Sequence, residues 1–405
     1  MTDRIVVIGG GQAGGQILMS LRHGGYTGEL VCIAGESHPP YQRPPLSKLY
    51  LAGQLDAGRL EFPPGPVLEK LDVELIQGKN AVGIDPDART VGLADGSIVH
   101  YSKLALATGS RPVHLDLPGA ELQGIHYLRT LEDADAIRSA AAKARSAVIV
   151  GAGYIGLEVA ATLRGMNLSV TVLEQADRIL PRVATPPIAR FLADLHRSRD
   201  VSLVLGQRAA GFEGKDKRVV AVQTEDGQTH AGDLVVVGVG VQPEQELALS
   251  AGLACDDGII VDEHGETSDS EIVAAGDCTR HPNALLNRTL RLESVHNALE
   301  QGRTAAATLL GEDRPYRQMP WFWSDQYGIK WQTVGLPTGR DHQIVGDPDS
   351  GAFSVFSFDE DRLVSVDSVN RIQEHMLARE LCNRSEPLTR SQLEACGFDL
   401  DRISE

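Results

Sequence analysis

Arg4-Ile5-Val6-Val7-Ile8-Gly9-Gly10-Gly11-Gln12-Ala13-Gly14 is a run of branched apolar residues that passes straight into G-x-G-x-x-G. The spacing predicts a strand, a tight turn at Gly9, backbone N–H groups open to a pyrophosphate at Gly11, and a helix packed close on the strand at Gly14. Alone, such a loop is a weak signal, because glycine-rich turns without ligands are common. The strand before it and the helical spacing of Ile17, Leu18 and Leu21 after it make a dinucleotide loop the better reading. A second copy, Val148-Ile149-Val150-Gly151-Ala152-Gly153-Tyr154-Ile155-Gly156, repeats strand, turn and helix start. Two such loops in one chain point to two dinucleotides, a flavin and a nicotinamide.

Working outward, the first helix should end near Gly24-Gly25, with a second strand at Leu30–Ile33. Glu36 then stands ~20 residues beyond the loop, where a carboxylate reaches a ribose hydroxyl; a solvated loop acid is the competing reading. In Pro39-Pro40-Tyr41-Gln42-Arg43-Pro44-Pro45-Leu46-Ser47-Lys48, prolines stiffen the backbone around Arg43 and Lys48. These cations fit either a nucleotide site or a surface turn. After the second loop, a helix carries Glu158, and the strand from Ser169 ends at Glu174. A carboxylate there binds adenosine ribose hydroxyls and repels a 2′-phosphate, which favours NADH, although Arg178 stands nearby. Further strands are expected at 203–205, 219–222 and 234–241. Ile272–Asp277 delivers an acid to a turn, and Ser294 should cap a helix through Asn297, Leu299, Ala305 and Leu309.

At 405 residues the chain suits two or three domains. Its formal charge of −17 argues against nucleic-acid or acidic-membrane partners. The cysteines, Cys32, Cys255, Cys278, Cys382 and Cys396, form no C-x-x-C or metal-ligand pair, so free thiols in the cytoplasm, and no metal, are expected. With the first strand a few residues after Met1 no secretory signal is expected, and no apolar run reaches the roughly 20 residues of a membrane helix.

Several strings in order, YQRPPLSK (41–48), LALATGSRP (104–112), YLRTLEDA (127–134), GAGYIGLEVAATL (151–163), AAGDC (274–278), RLESVHNALEQG (291–302), PWFWSDQ (320–326) and VNR (369–371), resemble the FAD-dependent, NADH-dependent ferredoxin reductases of bacterial oxygenase systems, of the putidaredoxin reductase type. The resemblance runs nearly the whole chain. It implies an α/β fold with two Rossmann-like nucleotide-binding domains in glutathione-reductase-like arrangement and a C-terminal α+β domain. Residues 1–112 and 242–315 would bind FAD, 113–241 would bind NADH, and 316–405 would form the third domain.

For FAD it implies Gly9, Gly11, Ala13, Gly14, Glu36, Arg43, Lys48, Ala81, Thr108, Gly109, Arg129, Asp277 and Val295. For NADH it implies Gly151, Gly153, Tyr154, Ile155, Gly156 and Glu174. Lys48 and Glu158 would pair at the nicotinamide and serve catalysis; read alone, Arg129 fits a solvated arginine and Glu158 an acid favoured by a helix N-terminus. The helix after Ser294 would point its positive end at the flavin N1 and C2=O region. PWFWSDQ would stand at an open flavin face where an iron–sulfur partner docks, with Trp331 in the same wall.

The implied activity takes electrons from NADH through FAD to a [2Fe-2S] ferredoxin serving a cytochrome P450 or ring-hydroxylating oxygenase. Competing readings are a reductase of rubredoxin or a small organic radical, and a non-enzymatic NADH-sensing flavoprotein. The first helix lacks the C-x-x-x-x-C pair of the disulfide reductases. Docking to an acidic ferredoxin would need local positive charge, for which Arg303, Arg314, Arg317 and Lys330 are the expected contributors.

Two departures stand out. Ala34-Gly35-Glu36 replaces the family's G-D-E, so Glu36 lacks an acidic neighbour, FAD is expected to bind less tightly, and an aspartate at Gly35 is expected to slow flavin loss. His296 replaces the family's usual glutamine, proline or tryptophan; it fits a packed, hydrogen-bonded histidine or one that tunes the flavin with pH.

Overall fold

A computed structural model describes residues 3–403, in two compact units. The first comprises residues 3–43, 57–111 and 241–320; the second comprises 44–56, 112–240 and 321–403. Each contains a five-stranded parallel sheet with the glycine-loop strand in its centre.

In the first unit the strand order is Ile272–Ala274, Lys103–Leu106, Arg4–Ile8, Glu29–Ala34, Glu74–Gln77. Ile5, Val6 and Val7 are buried on both faces, as the middle strand of a covered parallel sheet must be. In the second unit the order is Val201–Leu205, Ser169–Glu174, Ser146–Val150, Leu234–Val237, Ile125–Tyr127. Both units also carry a three-stranded antiparallel sheet, Ala81–Asp85 with Thr90–Leu93 and Ile98–His100 in one, Ala209–Lys215 with Arg218–Thr224 and Thr229–Ala231 in the other. The duplication seen in the two loops therefore extends to whole sheets.

The run 234–241, expected as one strand, breaks into Leu234–Val237 and Val241–Pro243. Gly240 takes a positive φ of 118°, and the Gly238 N–H is spent on Val150 O. In the same way 104–112 divides into Lys103–Leu106 and Ser110–Pro112, with Gly109 at positive φ between them.

The second unit ends in an antiparallel sheet ordered Trp321–Gln326, Ile329–Gly335, Arg362–Val369, Ala352–Asp359, Asp341–Asp347, with the helix Ile372–Cys382 after it. The sequence leads to the expectation of strands at 330–334, 353–358 and 363–369, which the three inner strands match; the first and last of the sheet are absent from that expectation. Among the described residues no helix is long and apolar enough to cross a membrane.

Candidate active site

The two glycine loops have the same construction. Gly9 and Gly151 take positive φ, and a Cβ on either would run into a backbone oxygen, that of Ala107 at 2.1 Å or of Gly238 at 2.3 Å. Gly14 and Gly156 let the helix lie on the turn, since a Cβ would stand 2.0 Å from Gly9 O and 2.1 Å from Gly151 O. Beside Gly11 and Gly153 nothing lies within 4 Å of the missing Cβ. The helices they open, Gln12–His23 and Tyr154–Gly165, have no side-chain N-cap. Open space before an uncapped helix N-terminus fits a pyrophosphate, so both loops fit a dinucleotide.

Each loop has its acid. Glu174 is the last residue of its strand, nearly buried; Oε2 accepts from the Ala152 N–H at 2.8 Å and Oε1 from the Ala176 N–H at 2.9 Å. The carboxylate is thus fastened to the second loop with lone pairs left for hydroxyls. Arg178 donates to the carbonyls of Ala184 and Pro181, so its guanidinium is committed to backbone.

In the first unit Glu36 accepts from Arg43 Nη2 at 2.6 Å and from the Tyr41 hydroxyl at 2.5 Å. Burial works against the Arg43 charge, but Tyr41, Glu36 and Asp277 outweigh it and set the guanidinium above its ordinary pKa. The stiff segment YQRPPLSK folds as a bridge at Tyr41 and a 3-10 turn over Pro44–Ser47. Sequence reading missed Asn80, which precedes Ala81 at the start of its strand. A Cβ on Gly35 would meet Asn80 Oδ1 at 2.1 Å. The end of the Asn80 side chain therefore stands where the family's first acid would begin, and an aspartate at Gly35 would require that amide to move.

Asp277 follows the strand Ile272–Ala274 and accepts from the buried Ser110 hydroxyl at 2.9 Å. Thr108 and Gly109 are tied to the backbone of Glu244, through Thr108 Oγ1 to Glu244 O at 2.6 Å and the Glu244 N–H to Gly109 O at 2.9 Å. Ser294 caps the helix Val295–Leu310, its hydroxyl accepting from the Asn297 N–H. Gln301, missed from sequence, accepts with one oxygen from the Gly276 N–H at 2.7 Å, Thr279 Oγ1 at 2.9 Å and Asn297 Nδ2 at 3.3 Å. That amide locks the Asp277 turn to the helix.

In the second unit Lys48 Nζ lies 2.8 Å from Glu158 Oε2, and the Ser47 hydroxyl donates to the same oxygen at 2.5 Å. Glu158 is 3% exposed, so its charge depends on these donors. Arg129 directly precedes Thr130, the N-cap of the helix Leu131–Ala141, and its N–H donates to Asp133. Ile155 is exposed in the first turn after Gly153; Tyr154 stacks on Trp331 with ring centroids 5.1 Å apart.

Trp331 differs from expectation. It is 1% exposed, packed in the second unit's core, and its Nε1 donates to Asp367 at 2.9 Å. Register explains this: Trp331 pairs with Ser324 of the neighbouring strand and shares its face, while Trp321 and Trp323 alternate onto the other face, 5.3 Å apart, with the Arg379 guanidinium 4.2 Å over Trp321.

Residues 3–302 match the pyridine nucleotide-disulphide oxidoreductase family, and residues 321–404 match the reductase C-terminal family. The chain belongs to the pyridine nucleotide-disulphide oxidoreductase family. It is 43% identical over 397 residues to rhodocoxin reductase of Rhodococcus erythropolis, covering 98% of this chain and 93% of that protein. Among solved structures it superposes on the ferredoxin reductase for the CYP199A2 system from Rhodopseudomonas palustris with a TM-score of 0.96 and 40% identity, over 100% of both chains. It superposes on the covalent putidaredoxin reductase–putidaredoxin complex with a TM-score of 0.93 and 39% identity, over 99% of this chain and 98% of that one.

As a member of this family the chain is an oxidoreductase of FAD and NAD(H). Burial holds the Cys32 thiol of this oxidoreductase up at about 12 and raises that of Cys278. Two of the arginines expected at a docking surface, Arg303 and Arg314, both pair with Glu300.

Proposed function

We propose that this oxidoreductase takes electrons from NADH and passes them to a [2Fe-2S] ferredoxin that serves a cytochrome P450 or a ring-hydroxylating oxygenase, in the cytoplasm. The observation that carries it is the pair of open, uncapped glycine loops within a chain alike, over nearly its whole length, to reductases named for small redox proteins. In this division residues 1–112 and 242–315 hold FAD, 113–241 hold NADH, and 316–405 form the C-terminal domain.

Bound FAD supplies the step from a two-electron donor to a one-electron acceptor. The chain's residues supply binding and orientation. Gly9, Gly11, Ala13 and Gly14 take the flavin pyrophosphate at a helix N-terminus; Glu36 and Arg43 take the adenosine end, beside Ala81; Thr108, Gly109, Asp277, Val295 and Arg129 complete the site. Gly151, Gly153, Tyr154, Ile155 and Gly156 take the nicotinamide dinucleotide, with Glu174 on its ribose. Glu174 selects NADH because a 2′-phosphate would meet a fixed, nearly buried carboxylate, while Arg178 is spent on backbone carbonyls. Glu158 holds the Lys48 ammonium in place, so that the lysine presents a fixed positive charge at the hydride-transfer site.

Anaerobic stopped-flow of the holoprotein tests this. NADH should reduce the flavin fast and NADPH slowly, and an oxidised [2Fe-2S] ferredoxin should then reoxidise it fast. Fast reduction with no transfer to any [2Fe-2S] ferredoxin would count against the reading.

A further inference from the structure

Glu158 is held from a second side. Its Oε1 accepts from Ser324 Oγ at 2.7 Å, and Ser324 Oγ is 3.0 Å from Gln326 Nε2. Gln326 Oε1 is 2.7 Å from His196 Nε2, whose other nitrogen, Nδ1, lies 3.4 Å from the Tyr327 hydroxyl. Ser324, Gln326 and His196 are at most 2% exposed. They come from the strand Trp321–Gln326 and the helix Pro186–Ser198, whereas Glu158 is on the helix Tyr154–Gly165.

Chemistry gives this row a direction. An ionised carboxylate only accepts, so the single Ser324 proton points at Glu158. Ser324 can then only accept from Gln326, which turns the amide oxygen toward His196 and requires a proton on Nε2. The Nδ1 of the neutral ring is left to accept from the Tyr327 phenol. Burial pulls His196 below its ordinary pKa, more than its bond to Gln326 raises it, and so keeps the ring neutral. Every donor points toward Glu158, the arrangement in which successive hydrogen bonds polarise one another.

We propose that Ser324, Gln326 and His196 are positioning residues for reduction by NADH: a one-way row of donors that ends on Oε1 of Glu158 and keeps its Oε2 on Lys48. This rests on the reading that Lys48 and Glu158 serve the nicotinamide. Without Ser324, Oε1 loses its donor, and the carboxylate is free to turn away from the lysine. Nicotinamide binding through the glycine loop and Glu174 stays as it was, so the loss falls on the reaction step and not on affinity.

The test uses the full-length holoprotein and its S324A and S324T variants, with flavin content and thermal melting confirming that each folds. S324A should reduce with saturating NADH roughly tenfold slower, the expected size of a lost hydrogen bond to a charged group, with the Kd for NADH within about twofold. S324T, which keeps the hydroxyl, should recover most of the rate. Independently of turnover, 15N NMR of histidine-labelled protein should show His196 as the neutral Nε2–H tautomer.

An Nδ1–H tautomer in the wild type would overturn the proposal, and so would an S324A rate equal to wild type. An E158A control separates the failures. If E158A also reduces at the wild-type rate while His196 stays Nε2–H, the role of Glu158 is what falls, and the row of donors stands as structure only.

Discussion

At the scale of single residues, Gly35 and Asp367 each carry a consequence that the sequence conceals. An aspartate at Gly35 would have to displace the Asn80 amide before it could reach a ribose. G35D alone should therefore lose flavin on dilution no more slowly than wild type, whereas G35D combined with N80A should lose it several-fold more slowly, as about 1 kcal/mol of added hydrogen bonding predicts. Fluorescence of released flavin reads both; a single G35D that retains flavin better would show that Asn80 yields freely.

Asp367 is fully buried, and burial lifts its carboxyl from 3.8 to about 6 against the opposing bonds from Trp331 and Thr185. The folded chain thus holds this proton more tightly than the unfolded one. The stabilisation is complete below about pH 4 and is lost as pH rises toward 6, an effect of about 3 kcal/mol. D367N keeps an acceptor for Trp331 without a charge. The melting temperature of D367N relative to wild type should therefore rise between about pH 4 and 7. A difference independent of pH would remove the titration of Asp367 from the account.

At the scale of elements, the helix Val295–Leu310 is joined to the Asp277 turn through Gln301. Q301A leaves the buried Gly276 N–H without this acceptor, at about 2 kcal/mol, while the Thr279 hydroxyl keeps Gly276 O at 2.9 Å. It should lower the melting temperature by several degrees and speed flavin loss; unchanged melting would mean that another group takes over the bond from Gly276. Elements built from local pattern were legible in the sequence. The two glycine loops, their helices and most of the parallel strands follow from spacing, though the edge strands Glu74–Gln77 and Ile125–Tyr127 did not, and Ser294 was readable as a cap. Asp341–Asp347 was hidden because it is a polar edge strand without a buried face's alternation. Trp321–Gln326 was hidden because consecutive aromatics mask the period of two. The pair Lys48–Glu158 came from family resemblance, not spacing. The row from Ser324 to His196 joins His196 to Gln326, 130 positions apart in sequence, and no local pattern encodes such a contact.

At the scale of the whole molecule, under the proposed function a chain of formal charge −17 would meet an acidic ferredoxin through local exceptions to its own field. Arg303 and Arg314 are poor probes of that surface, because both neutralise Glu300 and reversing either would set a second negative charge beside it. Lys330 is exposed at the start of its strand, so its reversal changes the field with little change in packing. K330E should raise the KM for ferredoxin several-fold at low ionic strength. The gap to wild type should close as salt shortens the Debye length from about 30 Å at 0.01 M to about 8 Å at physiological strength. Reduction of a neutral dye by NADH should be untouched, since that reaction needs the flavin but not the docking surface. Equal loss of dye and ferredoxin activity in K330E would place the lysine in the fold or the active site, and a KM unchanged at low salt would move the docking surface elsewhere.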